Sequence, residues 1–473
     1  MSTRIAFVAD IHLYSSSLGV SGRAYELRSG SDQKCLAESA AVTDAAFELI
    51  KKSGAAGVAV VGDVTNDGEM CSHSEIVEKL TALNESIPVY PITSTHDWCS
   101  DNNPRRYDGE NVYNDVETAG KEKLNEMYLP FGKEKEISSF KTKIGFFSRV
   151  FSVAPGVRLM MINDDCDGVN GKSGYSDEHI EWVKAEAEKA KKAGDIIIAA
   201  EHHLALPCIS PLVNSSQRIS DGEKIADIMA DCGISLLFVG HSHMMRATEH
   251  VSPNGNKITQ FNLSALCGYP AAITYADIDT ESGTVEITNE YINEFTYNGR
   301  IYGREYFAEH ATNIVTNILN GALKDKKEFA DRLGAMGIKF SPNDKQYKLI
   351  KKGVNFLMNV KVGRAAHIIN TLVPGAGYPK SMTANIKNDN LLGYILPVFL
   401  SVFDGGEAMK GVPDEVREIV KHTGRVAATA VHRLPIPKKK KSKIESIVEK
   451  VGDTLNELAE PGCTLTPTAV YKK

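Results

Sequence analysis

Five short stretches of this 473-residue chain hold side chains that could bind metal ions. They read Asp10-Ile11-His12, Gly62-Asp63, Ser94-Thr95-His96-Asp97, Glu201-His202-His203 and Gly240-His241-Ser242-His243. Six of the thirteen histidines fall in them, more clustering than a scatter of solvated side chains would give. Imidazoles and carboxylates suit zinc, manganese or iron, whereas an all-oxygen set would favour magnesium or calcium. Two divalent cations roughly 3.5–4 Å apart need a carboxylate able to bridge them and neutral imidazoles on either side. On an extended segment Asp10 and His12 point to one side and can grip one ion together. His241 and His243 share that geometry and can reach two different ions. The adjacent His202 and His203 would point opposite ways, so only one of them is expected to be a ligand. One such motif is a frequent chance match, but five in order are strong evidence.

Each motif follows an apolar run that reads as a buried strand: Ile5–Ala9, Val58–Val61, Val89–Thr93, Ile196–Ala200 and Ile234–Val239. A sixth run of this kind is Val157–Asn163. Nearly continuous Val, Ile, Leu, Ala and Phe suit strands covered on both faces. In open α/β sheets ligands bind beyond the carboxyl ends of the strands, where these motifs lie. Ser72–Glu75 and Ser220–Glu223 have capping-box spacing ahead of helical patterns, and Gly194 and Gly233 can close helices in a left-handed conformation. Beyond residue 255, the segments Ile258–Ala265, Ala271–Asp279 and Thr284–Tyr291 are closely spaced and suit antiparallel strands. The expectation is an α/β domain over residues 1–295, with a mixed sheet, and a mainly helical region over 296–473. Residues 305–335, 343–372 and 407–432 favour helix, and their sequence names no chemistry. The stretch Arg433–Lys450 carries seven basic residues and two glutamates and reads as a solvated linker.

Composition removes several function classes. Fifty-four basic against sixty acidic residues give a net charge of −6 and no case for nucleic-acid binding through overall charge. The start MSTRIAFVAD lacks a basic region and an apolar signal core, so a cytoplasmic protein is expected. The apolar stretch Leu391–Phe403 contains Pro397 and falls short of the ~20 residues that span a bilayer. Eight cysteines without a CxxC pair indicate neither a disulfide framework nor a thiolate zinc site. The oligomeric state is left open.

The series DIH, GDVTNDGE, STHD, EHH and GHSH resembles the calcineurin-like metallophosphoesterase family over about residues 4–295. The resemblance implies a two-sheet α/β sandwich with a dinuclear metal site and an additional helical C-terminal region outside it. It also implies metal-dependent hydrolysis of a phosphoester by a hydroxide bridging two divalent ions. Carried over by position, Asp10, His12 and His243 would hold one ion, Asp63 would bridge, and His202 and His241 would hold the second. His96 would face the substrate phosphate, stabilising developing charge or protonating the leaving alkoxide. Two departures stand out. Ser94-Thr95 replaces the Gly-Asn whose amide oxygen ligates the second ion in the family, and Leu204-Ala205-Leu206 delays the proline of the fourth motif to Pro207. The alternative is a metal-binding or regulatory protein on the same scaffold without turnover. The polar, glycine-containing insertions Tyr14–Gln33 and Asn102–Lys121 are expected to wall the substrate entrance. Monoester, diester, nucleotide and phospholipid head group all remain open as the substrate.

Overall fold

The computed structural model describes residues 2–99, 103–165, 168, 171–210, 214–375, 377–433, 438–459 and 469–470. The chain opens with β1 (Ser2–Val8), α1 (Arg23–Ser29), α2 (Ser39–Lys52), β2 (Gly57–Val61), α3 (Met70–Asn84) and β3 (Val89–Ile92). A hairpin of β4 (Arg106–Asp108) and β5 (Asn111–Tyr113) and a helix α4 (Lys121–Tyr128) follow. Next come β6 (Glu136–Lys141), β7 (Phe147–Ala154), β8 (Val157–Met161), α5 (Asp177–Ala193), β9 (Ile196–Glu201), α6 (Gly222–Asp231) and β10 (Leu236–Val239). The strands β11 (Arg246–Val251), β12 (Lys257–Asn262), β13 (Ala272–Asp279), β14 (Thr284–Tyr291), β15 (Glu294–Tyr297) and β16 (Arg300–Gly303) complete this part. Helices then dominate: α7 (Glu305–Lys324), α8 (Lys326–Ala335), α9 (Asp344–Asn359), α10 (Val362–Leu372), α11 (Leu392–Ser401), α12 (Asp414–His432) and α13 (Lys438–Ala459). The short β17 (Ala469–Val470) closes the description.

Two mixed sheets face each other, ordered β17-β14-β13-β1-β2-β3 and β11-β12-β10-β9-β8-β7-β6. Along β1 the side chains alternate: Ile5 and Phe7 enter the core between the sheets, while Ala6 and Val8 enter the core under the helices. That is why these strands carry no polar alternation: both of their faces are buried. Phe7 stacks on Phe238 across the sandwich with ring centroids 3.8 Å apart. Helices α2 and α3 cover the first sheet through Val42, Phe47, Ile76 and Leu80. Helices α5 and α6 cover the second through Val183, Ala187, Ile225 and Met229. The fold is the expected two-sheet α/β sandwich with an additional helical region.

Several local expectations need correction. Helix α3 starts at Met70 with Glu69 as its cap residue, so Ser72–Glu75 lies inside it. The Ser72 hydroxyl accepts the Ser15 N–H at 3.1 Å and does not cap. Helix α6 begins after Asp221 without a side-chain cap, and the Ser220 hydroxyl donates to the Ser173 carbonyl at 3.2 Å. Gly194 and Gly233 do take the left-handed conformation, at φ 74° and 92°. Strand β12 joins the second sheet, parallel to β10, whereas β13 and β14 extend the first as an antiparallel pair. Much of the basic stretch, expected as a linker, belongs to α13. No described helix is long and apolar enough to cross a membrane.

The helical region is tied to the strand that leaves the fifth motif. Arg246 is buried and donates to the Ser401 carbonyl and the Glu457 carboxylate, both at 3.1 Å. The Met245 N–H reaches the Phe403 carbonyl at 2.8 Å, and the Tyr269 hydroxyl reaches Asp404 at 2.6 Å. On the opposite flank Glu328 of α8 pairs with Arg23 of α1 at 2.6 Å.

Candidate metal centre

Parallel register brings the motifs together. Val8 is the partner of Val60 in the β1–β2 pair, so the two chains leave the sheet side by side. The pairing continues as Asp10 N–H to the Gly62 carbonyl at 3.2 Å and His12 N–H to the Asp63 carbonyl at 3.0 Å. In the second sheet Val239 is the partner of Glu201, and the Gly240 N–H then reaches the His202 carbonyl at 3.0 Å.

The residues beyond the strands are not extended, contrary to the geometry expected from spacing. Asp10, His12, Asp63, His241 and His243 all have positive φ, between 43° and 64°. A side chain in the left-handed region costs roughly 1–2 kcal/mol, and such residues concentrate at functional sites. The turns throw the side chains inward, which a strand-like exit would not do for every motif. Gly62, at φ 75°, lets one of these turns pass under an imidazole: a Cβ there would lie 2.4 Å from His202 Nδ1.

All six candidate ligands converge. Ligand atoms of Asp10, His12 and His243 lie within 4.8 Å of one another, as do those of Asp10, Asp63 and His202 and those of His202, His203 and His241. His12 Nε2 and His243 Nε2 are 3.1 Å apart, and His243 Nε2 is 3.3 Å from Asp10 Oδ1. Asp63 Oδ2 stands 3.0 Å from His202 Nε2 and 3.9 Å from His12 Nε2. The other oxygen, Oδ1, accepts the His96 N–H at 3.2 Å. Both oxygens of Asp10 accept the His241 N–H at 3.0 Å.

The donor set fits divalent cations. His202 Nδ1 donates to the Val61 carbonyl at 2.9 Å, so Nε2 is the nitrogen turned to Asp63. Burial opposes a charge on His202, yet the Asp63 carboxylate holds its pKa well above the ordinary imidazole range; a cation seated there would take the place of the Nε2 proton. That Nε2 is fully buried and, despite its short approach to Asp63, has no hydrogen-bond partner of proper geometry. A buried orphan of this kind is costly unless a ligand meets it. Burial holds the pKa values of His12 and His241 well below the ordinary imidazole range, reinforced by neighbouring cationic groups and imidazoles. Both are therefore neutral, the form that ligates metal. Burial opposes the charge of Asp63, yet His202 and His96 hold its pKa well below the usual carboxylate range.

His96 lies at the rim of this cluster, its side chain a quarter exposed and its ring centroid 4.9 Å from that of His12. Its Nδ1 is 2.5 Å from the Asn66 carbonyl and 3.1 Å from Asp67 Oδ1. These two acceptors fix the proton on Nδ1 and leave Nε2 available. Asp97, next to His96 in sequence, does not orient it. Fully buried, Asp97 accepts the Thr65 N–H at 2.9 Å and the Ser94 N–H at 2.8 Å, locking the second and third motifs together. Burial and the nearby Asp63 push its pKa up to about 7.

Sequence reading missed several neighbours. Asp67 is one, and its signal was the polar run Thr65-Asn66-Asp67 after the second motif. Asp164 and Asp165 follow β8, the strand end without a recognised motif. Asp164 accepts the His203 N–H at 2.9 Å and its Nδ1–H at 3.2 Å, and Asp165 accepts the Ser94 hydroxyl at 3.1 Å. His203 is thus held by Asp164, with its ring centroid 4.4 Å from that of His241. Gln33 approaches His243 Nδ1 at 2.5 Å, and Lys34 donates to Asn66 Oδ1 at 3.1 Å. The first insertion therefore reaches the site through its end. Most of it packs on the β4–β5 hairpin through Tyr14, Leu18, Tyr25 and Tyr107.

Among solved structures the chain is similar to a dimetal phosphatase from Danio rerio, at 12% identity and a TM-score of 0.44, over 62% of this chain and 98% of that one. It is similar to a purple acid phosphatase from yellow lupin (10% identity, TM-score 0.42), covering 64% of this chain and 53% of that one. A third similarity is to a 5'-nucleotidase from Candida albicans (12% identity, TM-score 0.32), over 76% of this chain and 58% of that one. No curated protein matches the chain. The family described as calcineurin-like phosphoesterase matches residues 3–245, just over half of the chain, ending shortly after His243 and short of residue 295. With that match spanning all five motifs, the chain belongs to the calcineurin-like phosphoesterase family.

Proposed function

We propose that this protein hydrolyses phosphoesters with two divalent cations, zinc, manganese or iron, held by Asp10, His12, Asp63, His202, His241 and His243. The observation that carries this reading is the position of Asp63 Oδ2, between His202 Nε2 at 3.0 Å and His12 Nε2 at 3.9 Å. When bound, such cations would lower the pKa of a water and draw charge from phosphate oxygens. The chain's own groups do the rest. Asp10, His12 and His243 form one seat, and His202 and His241 form the other, with Asp63 shared. Burial opposes a charge on His96, yet Asp63 and Asp67 favour its imidazolium form. In that form His96 meets the phosphate and gives its Nε2 proton to the leaving oxygen, while Asp67 and the Asn66 carbonyl hold the proton on Nδ1. The reading also takes residues 1–295 as the catalytic domain and 296–473 as a helical addition.

Thr95, where the family carries an amide, supports a second reading in which the second seat is weak and turnover is lost. Elemental analysis of protein purified without chelator, together with hydrolysis of an aryl phosphate monoester and diester, separates the two. Two ions per chain and turnover lost in His96→Ala are expected. Fewer than one ion, or turnover that survives both His96→Ala and Asp63→Asn, would sink the enzyme reading.

A further inference from the structure

The segment from Met336 to Asn359 has an unusual surface. It contains five lysines, at 339, 345, 348, 351 and 352, and a single acid, Asp344, which is engaged with Lys326 at 2.7 Å. None of the five lysines makes an ion pair among the described residues, and all five are exposed. Large apolar side chains are interleaved with them in the open. Leu349 is 73% exposed, and Ile338, Phe340 and Phe356 are 40–47% exposed. Helix α9, which spans most of the segment, is 16 residues long and has no fully buried residue. Its better-covered side, Tyr347, Ile350, Val354, Leu357 and Met358, faces the body, where the Tyr347 hydroxyl donates to the Ala322 carbonyl at 3.0 Å.

The opposite side has its own order. Lys345, Leu349, Lys352 and Phe356 are spaced four, three and four residues apart, which puts them in one stripe along the helix. Lys348 flanks the stripe, and the exposed Arg364 stands 5.9 Å from the Phe356 ring centroid. The helix is pre-formed and not induced: Asn343 and Gln346 close a complete capping box at its start. A soluble face made only of lysines would be ordinary, as would a few scattered apolar side chains. Lysines alternating with bulky aliphatic and aromatic tips on one helical stripe suit an interface that is anionic at its surface and apolar just beneath.

We propose that residues 336–359 dock this protein on an anionic phospholipid surface, with Ile338, Phe340, Leu349 and Phe356 entering the head-group layer and Lys339, Lys345, Lys348 and Lys352 meeting lipid phosphates and carboxylates. A single-stranded nucleic acid would match the charge, but its binding relies on stacking platforms and arginines, and the most exposed tip here is a leucine. No membrane-spanning helix is required for this attachment.

The test is cosedimentation of the full chain with vesicles of phosphatidylcholine alone and of phosphatidylcholine with a quarter phosphatidylserine. Binding to the anionic vesicles, and little to the neutral ones, is expected. Each lysine near such a surface is worth about a fivefold gain in affinity. Lys348→Glu with Lys352→Glu should therefore weaken binding by well over tenfold, and Leu349→Ser with Phe356→Ser by at least severalfold. These positions are exposed, and circular dichroism checks that the variants remain folded. Equal pelleting with both vesicle types, no pelleting with either, or apolar variants that bind as wild type would overturn the proposal. So would a concentration-dependent dimer, seen by light scattering, that Phe356→Ser abolishes, or equally tight binding to polyuridylate.

Discussion

The Asp63→Asn substitution tests the shared-ligand reading most directly. It keeps the size of the side chain and, through Oδ1, the hydrogen bond from the His96 N–H now at 3.2 Å. It replaces with an amide the oxygen that lies 3.0 Å from His202 Nε2 and 3.9 Å from His12 Nε2. An amide nitrogen there is a donor facing nitrogens that must themselves be lone-pair donors to a cation, so both seats lose a ligand and a negative charge. Removing a residue that only orients a ligand costs about 10–100-fold in metal affinity. Losing a ligand itself should reach at least the upper figure for each ion, ~2.7 kcal/mol apiece. After dialysis against micromolar zinc or manganese, elemental analysis should find about two ions on the wild type and well under one on the variant. Asp97→Asn is the control, because Asp97 bonds Thr65 and Ser94 and, although near Asp63, makes no hydrogen bond to a candidate ligand side chain among the described residues. Equal metal content in the two variants, both folded by circular dichroism, would remove Asp63 from the bridging role.

Four further expectations follow from particular contacts. Thr95→Asn restores the amide oxygen of the family pattern and should tighten the weaker cation severalfold in a calorimetric titration, with the tighter one unchanged; no change in either would show that Thr95 lies outside the second seat. Gly62→Ala places a Cβ 2.4 Å from His202 Nδ1 at φ 75° and should destabilise the metal-free protein by more than about 2 kcal/mol in thermal unfolding. Burial opposes the charge of Glu328, but hydrogen bonds from Arg23 and Arg332 hold its pKa below the usual range. That depressed value adds stability above the unfolded pKa of about 4.3, which is lost as pH falls through the folded pKa. Glu328→Gln should therefore cost about 1–2 kcal/mol at pH 7, a deficit that shrinks as pH falls below the unfolded pKa and vanishes only below the depressed folded pKa. A chain ending at Phe295 keeps every candidate ligand yet strips the partners of the buried Arg246, Ser401 and Glu457, and the buried Phe307. It should melt well below the full chain while binding the same number of ions per folded molecule, and failure to bind any would disprove the division at 295.

The fold was legible where burial leaves no choice. Strands such as Val58–Val61 are apolar at every position because one face meets the other sheet and the other face meets α2 and α3, and that pattern has few readings. The order of motifs was legible for a related reason: parallel strands in register deliver consecutive exits to one edge. Helix starts were harder to read. Ser72 and Ser220 have the right spacing to cap, but the tertiary structure offers their hydroxyls to Ser15 and Ser173, and no local pattern reveals those partners.

The details of the site were less legible than its location because its geometry is nonlocal. Spacing placed Asp10 and His12 together on an extended segment, whereas both are left-handed and their side chains meet His243 from the opposite sheet. Such conformations are unfavourable locally and persist only because the surrounding hydrogen bonds over-determine them. Asp10 shows how. Its N–H pairs with Gly62 and its carboxylate receives the His241 N–H, so the first motif is pinned simultaneously to the second and the fifth. Asp97 pins the second to the third, and Asp164 holds the residue after His202. The buried carboxylates therefore divide into two groups with different work. All four accept backbone N–H groups. Asp10 and Asp63 also present oxygens to the candidate-ligand imidazoles of His243, His12 and His202, whereas Asp164 reaches the ring of His203 and Asp97 bonds Thr65 and Ser94. In sequence all four are an Asp beside a His or after a strand, and only the partner of each carboxylate separates a candidate ligand from the scaffold that holds it.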